Sequence, residues 1–386
     1  MFDDFDIDDD GGGAGAGDDS QPLASTLTLS PPASSCEYWG DETLEQHLLV
    51  LFNAGRLPHG MIFSGIKGVG KATFAYRFTR FLMKESEKSD SSMGGGLFGG
   101  EEEALAPTSM NISAEDPIFA QIESAAHLDF NIVEPALKTN STQKRDVIEV
   151  AQIRKASDFF KLKSSRDGGW RVALIDDADL MNRSAQNALL KLLEEPPKNA
   201  LIILVCHRLG SMLPTIRSRC QTFNFAPMGD NKVSDIIQGL KPDVTPEELD
   251  LMLSLSAGSV GRAVRFTNEV AFDVLTDLQA ALSQWPNLNW PELHMLAERL
   301  SYAKDDVTRS TFKEYMLWLF SECIKTKVNR SFINEDWLKA MTASYDLKQL
   351  ITLQDDLKKH FSDVEIGNLD NMHYYLGAFF LLPTAK

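Results

Sequence analysis

The sequence predicts an α/β domain with a parallel sheet flanked by helices, followed by a region made of helices. Val172 to Ile175 and Ala200 to Val205 are short apolar runs bounded by polar residues, which is typical of strands buried on both faces. Between them, Asn187 to Leu193 has apolar residues at helical spacing, and Pro196 and Pro197 end that helix. A strand, a helix and a strand within about 35 residues indicate a right-handed crossover, with ligands expected at the carboxyl ends of the strands.

Length and charge suggest two or three folded domains with two acidic segments outside them. The chain has 386 residues, of which 43% are hydrophobic, enough to bury substantial cores. Residues 1–19 and 84–117 together carry 14 of the 17 net negative charges, so the folded surface is nearly neutral. We expect residues 1–35 to be a disordered tail and 84–117 to be a flexible insertion, because both are poor in apolar residues.

The four cysteines are far apart in the sequence, and none belongs to a paired metal-binding motif. They predict free thiols in a reducing compartment, no disulfide framework and no structural zinc. The N-terminus has no basic region followed by an apolar one, and no apolar run reaches about 18 residues. We therefore expect a cytoplasmic protein without a membrane span.

A strand at Met61 to Ser64 leads into a glycine-rich loop that ends in lysine and opens a helix at Ala72 to Met83. This context is typical of a phosphate-binding loop (P-loop), in which backbone N–H groups and the helix N-terminus surround phosphate oxygens. The alternative interpretation is a glycine-rich turn that binds nothing. The candidate nucleotide-binding residues of the loop are Gly65, Gly68, Gly70 and Lys71.

The metal-binding half of this motif is incomplete. Ala72 stands where the pattern requires Ser or Thr to hold Mg²⁺, and Thr73 lies about 100° further around the helix. Asp176 and Asp177 follow the strand that ends at Ile175, and Asp176 is the candidate ligand for Mg²⁺ if nucleotide binds. These residues predict a degenerate ATP site, for which we keep Thr73, Asp176 and Asp177 as candidates.

Further elements follow from hydrophobic patterning. We expect helices at Glu42 to Ala54 and Val147 to Phe160, and a strand at Phe130 to Val133. The stretch from Lys138 to Arg171 contains nine basic and four acidic residues, which indicates either a solvated helix face or a phosphate-contacting surface. Helical patterns dominate after Phe225; they cover Lys232 to Gly239, Pro246 to Ser256 and Thr311 to Lys325.

Four motifs together resemble the clamp-loader family of AAA+ proteins, most closely its subunits of the delta-prime type. They are GIKGVGKA, the IDDAD strand end, NALLKLLEEPP and the Ser218-Arg219-Cys220 sequence, and the resemblance covers about residues 37 to 266. It implies three domains: an AAA+ domain at 36–226, a helical lid at 227–270 and a helical collar at 271–386 through which five subunits assemble.

The resemblance also implies roles for individual residues. Arg219 would act in trans as an arginine finger on ATP bound by the neighbouring subunit, with Arg217 as the competing candidate or a structural ion-pair partner. Arg262 would be the second sensor arginine of the lid, or else a surface residue. Arg154, Lys155 and Lys191 are candidate contacts to primer–template DNA.

Departures from the family suggest which kind of subunit this is. The motor subunits end the metal-binding strand in Asp-Glu, whereas Asp177 is one methylene shorter at the base position, and Ala72 removes a metal ligand. The resemblance therefore implies a stator, delta-prime-like, with weak or absent ATPase activity of its own, in a hetero-pentamer with gamma/tau and delta subunits that loads the sliding clamp. A gamma- or tau-like motor is the first alternative; an unrelated P-loop kinase or AAA+ chaperone is the second.

Overall fold

The computed structural model describes residues 30–93, 106–135, 147–166, 168–303, 305–329, 335–367 and 370–382. Most of the predicted acidic tail, the middle of the predicted insertion and the bases Lys138, Lys144 and Arg145 lie outside the described residues. Among the described helices, none is both long enough and apolar enough to cross a membrane.

Five parallel strands form one sheet, in the spatial order β2-β3-β4-β1-β5. All residues of β1, β3 and β4 are buried, which explains why these strands read as continuous apolar runs. The strands are β1 (Gly60–Ser64), β2 (Phe130–Val133), β3 (Arg171–Ile175), β4 (Ala200–Cys206) and β5 (Gln221–Asn224). The predicted parallel sheet is confirmed.

Helices cover both faces of the sheet and bury two separate cores. One core joins Phe63 of β1 to Phe74 and Phe78, and the other joins Ile202 of β4 to Ile153 and Leu189. The flanking helices are α1 (Glu42–Asn53), α2 (Lys71–Met93), α3 (Pro117–Glu123), α4 (Val150–Phe159), α5 (Arg183–Glu194) and the short α6 (Pro214–Arg217). Because successive side chains of a strand point to opposite faces, shifting a strand by one residue would move its buried side chains from one core to the other.

Helix α2 is longer than the sequence predicted, because it continues ten residues beyond Met83 into the segment expected to be a flexible insertion. Within this extension, the Ser86 hydroxyl accepts from the Trp170 backbone N–H at 3.1 Å, and Glu87 pairs with Arg166 at 2.7 Å. On the far side of the undescribed residues, Met110 is fully buried, and its N–H donates to the Glu45 carboxylate at 2.9 Å. Part of the predicted insertion thus belongs to the folded domain.

Beyond the sheet, the described chain is helical, as predicted for the residues after Phe225. One apolar core runs through these helices, with Phe312, Tyr315 and Phe320 fully buried near its centre. The helices are α7 (Asp230–Leu240), α8 (Pro246–Ser256), α9 (Val260–Phe266), α10 (Glu269–Leu282), α11 (Trp290–Tyr302), α12 (Asp306–Asn329), α13 (Asp336–Ser344), α14 (Leu347–Gly367) and α15 (Asn371–Phe380). The division into lid and collar at residue 270 stays a prediction.

Candidate functional site

The glycine-rich loop connects the end of β1 to the first residue of α2, which is Lys71 itself. Gly68 and Gly70 have φ angles of 85° and 88°, in the left-handed region that favours glycine. The loop, the strand before it and the helix after it have the arrangement that a phosphate-binding loop requires, and the predicted context is confirmed.

The Lys71 amine is bonded inside its own loop. Its side chain is almost fully buried, and Nζ donates to the backbone oxygens of Gly65 and Ile66, both at 2.7 Å. Burial lowers the Lys71 pKa to about 8, and the nearby Asp176 carboxylate opposes that shift. The lysine is therefore held by carbonyl groups of the loop.

The carboxylates after β3 and the side chain after β4 meet at the same edge of the sheet. The Asp177 N–H donates to the Asp176 carboxylate at 3.0 Å, and Asp177 has a left-handed φ of 52°. The Asp177 carboxylate lies 2.6 Å from Nε2 of His207, and the His207 N–H donates to Asp179 at 3.0 Å. The carboxylate in the base position is thus tied to a histidine.

His207 was not among the predicted site residues, although its place in the sequence carries a signal. It follows β4 directly, and in a parallel sheet the residues after neighbouring strands lie side by side at the carboxyl edge. In contrast, Ala72 and Thr73 are half-buried on the first turn of α2, and the alanine brings no oxygen to the metal position.

The N-terminus of α9 packs directly on the glycine-rich loop. The Ser259 hydroxyl donates to the Lys67 backbone oxygen, and the Gly261 N–H donates to the Gly68 backbone oxygen, both at 2.8 Å. A Cβ on Gly261 would lie 2.9 Å from the Gly68 Cα, so the two backbones meet where only glycine fits. These contacts bring the predicted sensor, Arg262, beside the loop: its backbone nitrogen lies 3.4 Å from where a Cβ on Gly68 would be.

Arg219 lies just after α6 and its side chain is about one-third exposed. Its Nη2 pairs with the Glu194 carboxylate at 2.9 Å, and its Nη1 donates to the Thr215 backbone oxygen at 3.0 Å. The sequence interpretation gave a structural ion pair to Arg217. The structure gives the ion pair to Arg219 instead, and no described residue pairs with the exposed Arg217 side chain.

The candidate DNA contacts lie on two adjacent helices. Arg154 and Lys155 are exposed on α4, Lys191 is exposed on α5, and these helices pack together. Other bases of the same stretch are used within the fold: Arg166 pairs with Glu87, and Arg171 is buried beside Asp129. The exposed basic surface in the described part of the stretch is thus narrower than the nine residues counted in the sequence.

His127 and Asp129 have structural roles. The Asp129 carboxylate is buried, accepts from the Ser165 N–H at 3.0 Å and lies 3.2 Å from Nε of Arg171. His127 Nδ1 accepts from the Asp129 N–H at 3.1 Å.

The four cysteines are free thiols, and burial raises the pKa of Cys220 to about 12. No group of three or more His, Cys, Asp or Glu within the described ranges could hold a metal ion. The expected absence of zinc stays a prediction.

Comparison with known proteins identifies relatives among DNA replication proteins. A family model described as DNA polymerase III, delta subunit, matches residues 113–229, which include Asp176, His207 and Arg219. The delta-prime subunit of DNA polymerase III from Bacillus subtilis is 28% identical over 217 residues, 56% of each chain. That of Escherichia coli is 24% identical over 327 residues, 84% of this chain and 77% of the relative.

Other matches are shorter or more distant. The replication factor C small subunit of Methanoregula boonei is 23% identical over 60% of this chain and 59% of its own, so the chain spans little more than half of several relatives. A solved structure of a DNA polymerase III gamma subunit-related protein from Thermotoga maritima superposes with a TM-score of 0.41 at 15% identity, covering 87% of this chain and 98% of the other. The chain is thus similar to clamp-loader proteins, with delta-prime subunits of DNA polymerase III among its relatives.

Proposed function

We propose that this chain is a delta-prime-like stator of a DNA polymerase III clamp loader, which helps to place the sliding clamp on primed DNA. Its partners would be gamma/tau and delta subunits in a hetero-pentamer, the clamp, and primer–template DNA held by the assembled complex. It would act in the cytoplasm during DNA replication. Similarity to the delta-prime subunits of DNA polymerase III and the exposed arginine after α6 support this proposal.

The observation that carries the proposal is the state of the chain's own P-loop. Lys71 is bonded to two carbonyl groups of its loop, and two more loop carbonyls accept from Ser259 and Gly261 of the lid. The metal position next to Lys71 is Ala72, and the base position, Asp177, is paired with His207. Hydrolysis of ATP depends on the placement of a metal ion and a water molecule. Because the metal and base positions are incomplete here, the site favours a subunit that positions its neighbours over one that turns over ATP.

Nucleotide binding is a separate question from hydrolysis. The glycine conformations and the start of α2 at Lys71 fit a phosphate group, whereas the donor set fits Mg²⁺ poorly because the Ala72 side chain has no oxygen. If ATP and Mg²⁺ bind, we assign the phosphates to the loop N–H groups and Lys71, and the metal ion to Asp176. Our alternative function, a gamma- or tau-like motor, would require a complete metal site.

In the proposed complex, Arg219 contacts ATP of the neighbouring subunit. A guanidinium is planar and permanently charged and can meet phosphate oxygens with two parallel hydrogen bonds, whereas lysine presents a point charge. Exposure at the edge of the AAA+ domain leaves this side chain open to a neighbour. Arg154, Lys155 and Lys191 would contact DNA phosphates without reading sequence.

The test is ATP turnover by the purified full chain. We expect a rate far below about 10 s⁻¹, a typical enzyme turnover number, because the metal and base positions are incomplete. Turnover at a motor-like rate that is lost in Lys71→Ala would contradict the stator function and support the alternative.

A further inference from the structure

We propose that Glu194 is a positioning residue for Arg219, which holds the guanidinium ready for the nucleotide of the neighbouring subunit. This inference rests on the proposed function, since it concerns the same arginine. Glu194 is the last residue of α5, in the sequence LLEEPP, and it is 25 positions before Arg219. The inference assigns it a role in the neighbour's hydrolysis that acts through the arginine.

The contact geometry fixes the guanidinium on two sides. Glu194 Oε1 lies 2.9 Å from Nη2, while Nη1 donates to the Thr215 backbone oxygen at 3.0 Å. Thr215 belongs to the one-turn helix α6, four positions before Arg219, so the arginine reaches back to a carbonyl of the preceding turn. No described residue accepts from the Nε–H of Arg219, which keeps that donor for a ligand. Five donors in one rigid plane allow part of the group to be held while the rest binds phosphate.

The backbones that carry the two side chains are themselves held in place. Helix α5 ends against the start of β1, where His59 Nε2 lies 3.0 Å from the Leu193 backbone oxygen. The segment after α6 ends at the same place: a Cβ on Gly60 would lie 2.9 Å from both the Leu193 side chain and the Cys220 sulfur. Glu194 and Arg219 each neighbour one of these packed residues, so the distance between their backbones is set by the core.

The pair is too exposed to be explained by fold stability. The Glu194 and Arg219 side chains are 47% and 36% exposed, and exposed ion pairs contribute little to stability. A long, flexible side chain at a subunit edge loses conformational freedom when it binds, and a partner that restrains it beforehand reduces that loss. We therefore expect Glu194 to affect the rate of ATP hydrolysis at the neighbouring subunit's site and to contribute little to the stability of this chain.

The experiment uses the reconstituted clamp loader with this chain as wild type, Glu194→Gln, Arg219→Ala or the double variant. The matched control is Glu195→Gln, the adjacent exposed carboxylate, whose side chain contacts no described partner. We expect Glu194→Gln to lower kcat of DNA-stimulated ATP hydrolysis by about three- to tenfold with KM for ATP and assembly unchanged, since misplacing a catalytic group chiefly affects the transition state. Glu195→Gln should have no effect.

The double variant separates positioning from a general structural role. If Glu194 acts through Arg219, adding Glu194→Gln to Arg219→Ala lowers kcat no further. A further loss in that background would overturn the inference. So would wild-type kcat in Glu194→Gln when Arg219→Ala is slow, and that result would leave the proposed function intact. Normal kcat in an assembled Arg219→Ala complex would overturn this inference and the proposed role of Arg219 together.

The ion pair itself is checked in the isolated full chain by NMR of the arginine side chains. Glu194→Gln should alter the Arg219 guanidinium signals and Glu195→Gln should not. Unchanged Arg219 signals in Glu194→Gln would contradict the inference without reference to the complex.

Discussion

The P-loop of this chain and the segment after α6 that carries Arg219 differ in how they hold their cationic side chains: one is buried and the other is exposed. At the P-loop, Lys71 is 3% exposed and bonded to its own loop, and Ser259 and Gly261 at the start of α9 hold two further carbonyl groups. At the edge, the Arg219 side chain is 36% exposed and is restrained from one side by Glu194. One group is used within the fold, and the other is presented outward.

This difference shows how a chain can keep the motif of an ATPase while contributing chemistry elsewhere. The P-loop is part of the packing between the sheet and α9, because the backbones of Gly68 and Gly261 are in contact. Its residues thus have a structural reason to be present that is independent of turnover. Two experiments test the contacts that Lys71 and Gly261 make at the P-loop. A third tests whether the exposed bases Arg154 and Lys155 bind DNA as proposed.

Of the effects on stability and DNA binding, the largest is expected from the pH dependence of Lys71. Its pKa in the folded chain, about 8, is below the ordinary lysine value of 10.5, so between these values the unfolded chain binds more protons and stability rises with pH. Relative to Lys71→Met, the wild-type free energy of unfolding should rise by about 2 to 3 kcal/mol between about pH 7 and about pH 10. Urea unfolding of both variants measures this difference. A difference that stays flat or falls would show that the folded chain does not lower the lysine pKa.

A smaller effect is expected where α9 meets the loop. Gly261→Ala places a methyl group 2.9 Å from the Gly68 Cα, where the backbone must shift, so we expect a loss of about 2 kcal/mol. Gly239→Ala in α7 is the matched control, because a Cβ there has nothing within 4 Å. The control should gain about 0.5 to 1 kcal/mol from helix propensity. Equal unfolding midpoints for the two variants would argue against a tight contact between the lid and the loop.

The smallest effect is expected on DNA affinity. Reversing the charges of Arg154 and Lys155 should weaken DNA binding by the assembled complex and reduce the slope of log affinity against log salt by about 1 to 2, as expected if each contacts one phosphate. Lys339→Glu in α13 is the control, because that exposed lysine lies outside the proposed DNA surface. An unchanged slope in the double charge reversal would remove these residues from the proposed DNA surface.

Much of the fold could be predicted because its signals are local. The strands β3 and β4 are apolar runs ended by polar residues, and the predicted bounds of α8, Pro246 to Ser256, are those of the structure. The extension of α2 was missed because its residues are charged and small. Ion pairs one turn apart, such as Lys84 with Glu87 and Lys88 with Glu85, support a helix that composition alone did not suggest.

The residues of the site that belong to sequence motifs could be predicted, whereas the contacts between distant segments could not. Lys71, Asp176 and Asp177 stand in recognisable sequence contexts, so their places at the carboxyl edge follow from the strands before them. The bond from Ser259 to Lys67 joins residues 192 positions apart and leaves no local pattern. Pairing of His207 with Asp177, and of Glu194 with Arg219, likewise depends on which elements become neighbours in space.

The central claim is that this chain lends Arg219 to the ATP of a neighbouring subunit. The most direct measurement compares reconstituted clamp loaders that contain wild-type, Arg219→Ala or Arg217→Ala chains. We predict that all three assemble, and that clamp loading and DNA-stimulated ATP hydrolysis fall in Arg219→Ala, where a lost arginine finger is worth about 10³ to 10⁵ in rate at its own site. Full activity in Arg219→Ala, with the loss confined to Arg217→Ala, would contradict it.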